Sequence, residues 1–188
     1  MMKKIIVLVL LLALTGLGHT VCAGELQFTE ADSPGVGLRR LLLTTPPGEL
    51  EFSSDENFSQ VYGVLTDWDI GGVKATVMSL RDGTASLYTT STFGIIGGQG
   101  YKRVRKTALR YVFLAGQFVE SSRPVNNFAY PESGQVYFYL LTYDGVRLCV
   151  GDEAAIKRGT DPLRDLFAAA QNVLTELRGV TEQANPSE

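Results

Sequence analysis

The sequence predicts a single two-layer α+β domain: an antiparallel sheet of about five strands with two helices packed on one face, and a strand-strand-helix unit that recurs. Three observations predict it. Two Asp-Gly pairs, Asp82-Gly83 and Asp144-Gly145, each separate two apolar, β-prone runs, and Asp-Gly marks a hairpin because both turn positions need φ above zero. Two longer stretches, Tyr101 to about Val119 and Leu163 to Leu177, repeat apolar residues at helical spacing. The chain has 188 residues, enough to bury the core of one domain.

The N-terminus has the form of a secretory signal. Lys3 and Lys4 precede the uncharged apolar run Ile5 to Gly18, and Val21-Cys22-Ala23 supplies small residues at the positions a signal peptidase reads. Cleavage after Ala23 and a periplasmic or secreted location are expected. The run is about 14 residues, short of the ~20 needed to cross a bilayer, so no transmembrane anchor is expected after processing. Lipid attachment at Cys22 is the less favoured reading, because His19-Thr20-Val21 lacks the usual aliphatic and small residues before it.

Processing changes the chemistry available. The chain has one histidine and two cysteines, and removal of residues 1–23 takes His19 and Cys22 with it. Ser-His-Asp and Cys-His nucleophilic sites then cannot be assembled, and the imidazole ligands of zinc, copper and non-haem iron are missing. No metal, cofactor or catalytic residue is predicted, although carboxylate, tyrosine or lysine chemistry stays open. The formal net charge of −3 becomes more negative without Lys3 and Lys4, which argues against nucleic-acid binding. Cys149, in the strand-like run Val146 to Val150, reads as a small buried hydrophobe.

Residues 24–57 read as an irregular N-terminal segment, with Pro34, Pro46 and Pro47 among several glycines and one possible strand at Leu38 to Leu43. The α+β domain is expected over residues 58–178. Its first strands are Val61 to Thr66 and Val73 to Leu80, joined by Asp67 to Gly72; the hairpins at Asp82-Gly83 and Asp144-Gly145 supply the rest. The first helix places Val104, Ala108, Tyr111, Val112 and Ala115 on one face. The second carries Leu163, Leu166, Phe167, Ala170, Leu174 and Leu177, with Asp161 as its cap, Pro162 in its first turn and Gly179 at its end. Residues 179–188 are expected to be a disordered tail.

The run Val136-Tyr137-Phe138-Tyr139-Leu140-Leu141 is apolar on both sides of a strand. Such a strand must be covered twice. The second cover could be the N-terminal segment, a second copy of the chain, or an envelope partner, in which case Trp68, Tyr137 and Tyr139 would form an interaction surface.

The segment Thr92 to Gly100 is rich in glycine and runs into the basic helix start Tyr101-Lys102-Arg103-Val104-Arg105-Lys106. Backbone N–H groups at a helix start attract anions. Gly97, Gly98 and Gly100, with Lys102, Arg103 and Lys106, are therefore the candidate ligand-binding residues for a small anion. The loop matches neither the Walker form nor a dinucleotide fingerprint. Asp67, Asp69, Asp152 and Glu153 supply loop carboxylates without the spacing of a known acid-base pair or calcium cradle.

Around Asp82 to Tyr88, Gly94 to Gly98 and Tyr139 to Arg147 the chain resembles an uncharacterised bacterial domain family, over roughly Val61 to Leu177. The resemblance implies one domain and attaches no activity, cofactor or residue role to it. The functional expectation is a non-enzymatic exported binding or interaction module of the cell envelope, with a homodimer or an envelope protein as its partner; the alternative is an enzyme or sensor for a small anion at residues 94–100.

Overall fold

The computed structural model describes residues 33–91 and 93–184; the expected signal segment and the last residues of the tail lie outside these. Six strands form one antiparallel sheet: β1 Val61–Ile70, β2 Val73–Leu80, β3 Ala85–Thr89, β4 Arg123–Pro124, β5 Gln135–Thr142 and β6 Gly145–Asp152, in the order β3-β2-β1-β5-β6-β4. The extra strand relative to expectation is β4, two residues long, whose edge position suits Pro124. Both Asp-Gly hairpins form: β2 pairs with β3 and β5 with β6, and Gly83 and Gly145 have φ of +86° and +125°.

β1 runs four residues past the expected end at Thr66. Asp67 and Trp68 belong to the strand rather than to a connection, and the turn into β2 is Gly71-Gly72 alone, at φ +62° and +89°. Local pattern fails here because both residues find tertiary partners. Trp68 packs edge-on against Phe167 with ring centroids 5.8 Å apart, and Asp67 is held by an arginine from the other side of the sheet.

Helices α2, Lys102–Ala115, and α4, Arg164–Ala184, lie over one face. Their stripes Val104, Ala108, Tyr111, Val112, Leu166, Ala170, Val173 and Leu177 bury against Val64, Val77, Leu87, Phe138 and Leu140. Each large side chain buried this way contributes about 1.5–3 kcal/mol before entropy is counted. The short helix α3, Glu153–Arg158, links β6 to α4; its start is capped by Asp152, whose carboxylate accepts from the Ala155 N–H at 2.6 Å. Asp161 accepts from the N–H of Leu163 at 2.7 Å and of Asp152 at 3.1 Å, tying the start of α4 to the end of β6. α4 does not stop at Gly179 but continues to Ala184.

The opposite face is covered by the chain's own N-terminal segment. Residues Pro34–Thr44 form helix α1, not the strand expected at Leu38 to Leu43. Pro34 fits the first helical turn, and Leu38 and Leu42 fall one turn apart on the side facing Tyr62, Leu65, Met78, Tyr139 and Leu141. Gly35 lets the helix start approach β3: a Cβ there would lie 2.5 Å from the Thr89 carbonyl oxygen. The strand-strand-helix pattern recurs as β2-β3-α2 and β5-β6-α3-α4, but the hairpins occupy inequivalent places, with β5 central and β2 not.

Candidate functional site

The sequence-predicted aromatic surface is not a surface. Trp68 is 5% exposed and Tyr139 is fully buried, while Tyr137 is half-buried. Tyr139 sits beneath α1 and the 128–130 loop, donating its hydroxyl proton to the Ala129 carbonyl at 2.6 Å and meeting the Phe128 ring edge-on at 6.0 Å. Of the three covers open to this sheet face, the N-terminal segment supplies the one observed.

What holds that cover is a buried polar network. Arg39, from α1, reaches through the apolar layer to Asp67 on β1, with Nε and Nη2 at 2.9 and 2.5 Å from Oδ2. Thr76 donates to the other carboxylate oxygen at 2.5 Å. The guanidinium also donates to the carbonyls of Phe128 and Ala129 and lies 4.1 Å from the Tyr130 ring centre. Burial pushes the Asp67 carboxyl up, against the pull of Arg39 and Thr76. Burial alone would lower the Arg39 pKa, but Asp67 outweighs it and holds the guanidinium charged. The only signal for this pair in the sequence is a charge beside apolar residues in each segment, Leu38-Arg39-Arg40-Leu41 and Leu65-Thr66-Asp67-Trp68-Asp69, and it does not single out Arg39 from Arg40 or Asp67 from Asp69.

The remaining carboxylates singled out have structural partners. Asp69 accepts from the Gly72 N–H at 2.8 Å and pairs with Lys74 at 2.9 Å. Asp152 caps α3, and Glu153 pairs with Lys157 at 2.7 Å. Among the described residues no three His, Cys, Asp or Glu side chains gather where they could hold a metal ion. Burial pushes the Tyr111 and Tyr139 phenols up, Tyr139 to about 12, and the Cys149 thiol to about 11. None of the three offers an anionic nucleophile or base at neutral pH.

The glycine-rich loop is fastened to the edge of the sheet. Leu87 and Ile95 exchange backbone hydrogen bonds of 2.8 and 2.9 Å. Gly98 is a packing glycine, since a Cβ there would lie 2.6 Å from both Leu177 and Val104. The Tyr101 N–H is taken up by Gly98 O at 3.1 Å, and the Gly97 N–H lies 3.4 Å from the Ser86 hydroxyl. Gly97, at φ +81°, and Gly100 face open space. Lys102, Arg103 and Lys106 are exposed, and Arg103 comes no closer than 3.9 Å to Glu176.

Arg103 and Lys106 instead line a groove of about 940 Å³ between α2 and α4. Arg110 extends the basic ridge on α2, Asp165 and Glu176 stand on α4, and Phe58, Phe113 and Leu114 supply apolar walls. Phe113 is 57% exposed. Sequence reading places Arg103 and Lys106 on the solvent side of α2 but not the groove, because the groove exists only once α4 lies beside α2. No helix among the described residues is long and apolar enough to cross a membrane. Compared with protein-family models, with curated proteins and with solved structures, the chain matches none, in keeping with a resemblance to an uncharacterised family that implies no function.

Proposed function

We propose that the protein is a non-enzymatic binding module, exported to the cell envelope, that holds an acidic segment of a partner protein in the α2–α4 groove. The observation that carries this reading is the composition of the groove: three cations on one ridge, Arg103, Lys106 and Arg110, above the apolar walls Phe58, Phe113 and Leu114. Cations beside exposed apolar side chains suit a segment that presents carboxylates along one edge and leucine-like side chains along another. The absence of an imidazole from the processed chain and the raised pKa values of its buried phenols and thiol favour binding over catalysis.

A designed amphipathic peptide of leucine and glutamate, its binding followed by fluorescence anisotropy, tests the groove. Affinity should fall at least tenfold when Lys106 and Arg110 are both changed to Glu, and again with Phe113→Asp. Equal affinity for the wild type and the charge-reversed variant would remove the reading. Export is tested separately by intact mass, which should show a chain beginning at Gly24 in the envelope fraction.

The small-anion reading retains one supporting feature: the first turn of α2 carries Lys102 and Arg103, no acidic residue and no capping side chain. Thermal shift with phosphate, sulfate, nucleotides and sugar acids tests it. Ligand at one hundred times its dissociation constant adds about 2.7 kcal/mol of stability, and no shift across the panel would leave the groove alone.

A further inference from the structure

We propose that the loop from Phe93 to Tyr101, with the first turns of α2, is a docking site for an anionic phospholipid surface. Six large hydrophobic side chains are prominently exposed among the described residues, and three of them, Phe93 (54%), Ile96 (50%) and Tyr101 (45%), belong to this one loop. They are exposed for a structural reason. Ile95, between Phe93 and Ile96, is tied to Leu87 at the sheet edge and packs against the core, and Gly98 is wedged between Leu177 and Val104. With those two positions fixed inward, Phe93 and Ile96 are left facing solvent. Gly97 and Gly100 leave open space on their Cβ side, since a Cβ at either would find no atom within 4 Å.

Charge selects lipid as the occupant. Lys102, Arg103, Arg105 and Lys106 follow Tyr101 directly, all four exposed, and α2 contains no acidic residue, although the whole chain carries a net charge of −3. Aliphatic and aromatic side chains at a loop tip, with lysines and arginines behind them, match the two layers of a bilayer surface: acyl chains reached by the tip and anionic headgroups met by the cations. Tyrosine favours the boundary between those layers. Phe93, Ile96 and Tyr101 lie outside the α2–α4 groove, so a protein segment seated there would leave them uncovered. This site and the groove share Arg103 and Lys106 only, and either can fail without the other.

Sedimentation with vesicles of phosphatidylcholine, with and without phosphatidylglycerol, tests the proposal on the purified full chain. At low ionic strength the protein should pellet with the phosphatidylglycerol vesicles at least tenfold more strongly than with phosphatidylcholine alone, and high salt should release it. Phe93→Ser with Ile96→Ser should weaken binding about tenfold, and Lys102→Glu with Arg105→Glu likewise; both pairs are exposed. Phe93→Trp adds an emitter whose spectrum should shift to the blue on vesicle binding, while buried Trp68 gives a constant background. Failure to pellet with phosphatidylglycerol vesicles, an unshifted Phe93→Trp spectrum, or equal retention by polyglutamate would overturn the lipid assignment.

Discussion

The two faces of the sheet are closed in different ways. Over one face lie α2 and α4, helices of 14 and 21 residues with continuous apolar stripes; over the other lies α1, 11 residues long, with glycines at 35 and 37 and no side-chain cap. The long helices are specified by their own periodicity and held by area. The short one has weak intrinsic helicity, since glycine costs about 1 kcal/mol relative to alanine at each interior position. Its place depends on Leu38, Leu42 and Leu43 and on one ion pair. A few apolar side chains can slide along an apolar face, whereas a guanidinium that must find one carboxylate fixes both register and direction. A buried ion pair adds little net stability over a hydrophobic replacement but makes wrong arrangements expensive.

The largest effect should therefore come from breaking that pair on one side. Arg39→Ala takes the cation from buried Asp67, leaving it Thr76 as donor, and removes one donor each from the carbonyls of Phe128 and Ala129, and urea unfolding should show a loss of about 3–5 kcal/mol. Arg39→Leu combined with Asp67→Leu should recover part of it; a double variant as unstable as Arg39→Ala would show that the loss comes from the missing ion pair itself and not from an unpaired Asp67.

A smaller loss belongs to the other face. Tyr111 and Thr66 share a hydrogen bond inside the α2 layer, both fully buried. Tyr111→Phe removes one hydroxyl and leaves the other unpaired in the core, at about 1–3 kcal/mol. Denaturation midpoints should fall in that order, Arg39→Ala below Tyr111→Phe, and the reverse order would place the greater dependence on polar contacts under α2 instead.

The same contrast separates what the sequence discloses from what it hides. α2, α4 and both Asp-Gly hairpins are legible because each is set by local chemistry: a stripe at helical spacing, or a glycine that takes up positive φ at the turn, although Asp82 and Asp144 themselves do not adopt the positive φ expected of them. α1 is hidden because Arg39-Arg40 interrupts the run Leu38 to Leu43 as a strand's edge would. Arg39 reads as polar until Asp67 is placed beneath it. The end of β1 is hidden for the matching reason: Asp67-Trp68-Asp69 has the look of a loop, and only Arg39, Thr76 and Phe167 make it a strand. At the candidate site the basic side of α2 is legible from composition, whereas the groove and the packing role of Gly98 require α4 to be in position.

Cys149 offers the finest probe of whether the two faces fail together. It lies under the α2–α4 layer, 5% exposed, with Sγ 3.8 Å from the Phe118 carbonyl, and burial raises its pKa to about 11 despite nearby Arg147. A raised thiol pKa favours the neutral form, so its contribution to stability is complete below the unfolded value of 9.0 and fades as pH climbs through about 11. At pH below that window a disulfide reagent should react with the native protein far more slowly than with the urea-unfolded chain. In Arg39→Ala the rate becomes diagnostic. If α1 lifts from its face while the other layer stays packed, Cys149 remains as slow as in the wild type even where ultraviolet difference spectra report solvent at Tyr139. A thiol that quickens in step with the tyrosine signal would mean that the ion pair supports the whole sheet, and that the thin layer is as much a part of the cooperative core as the thick one.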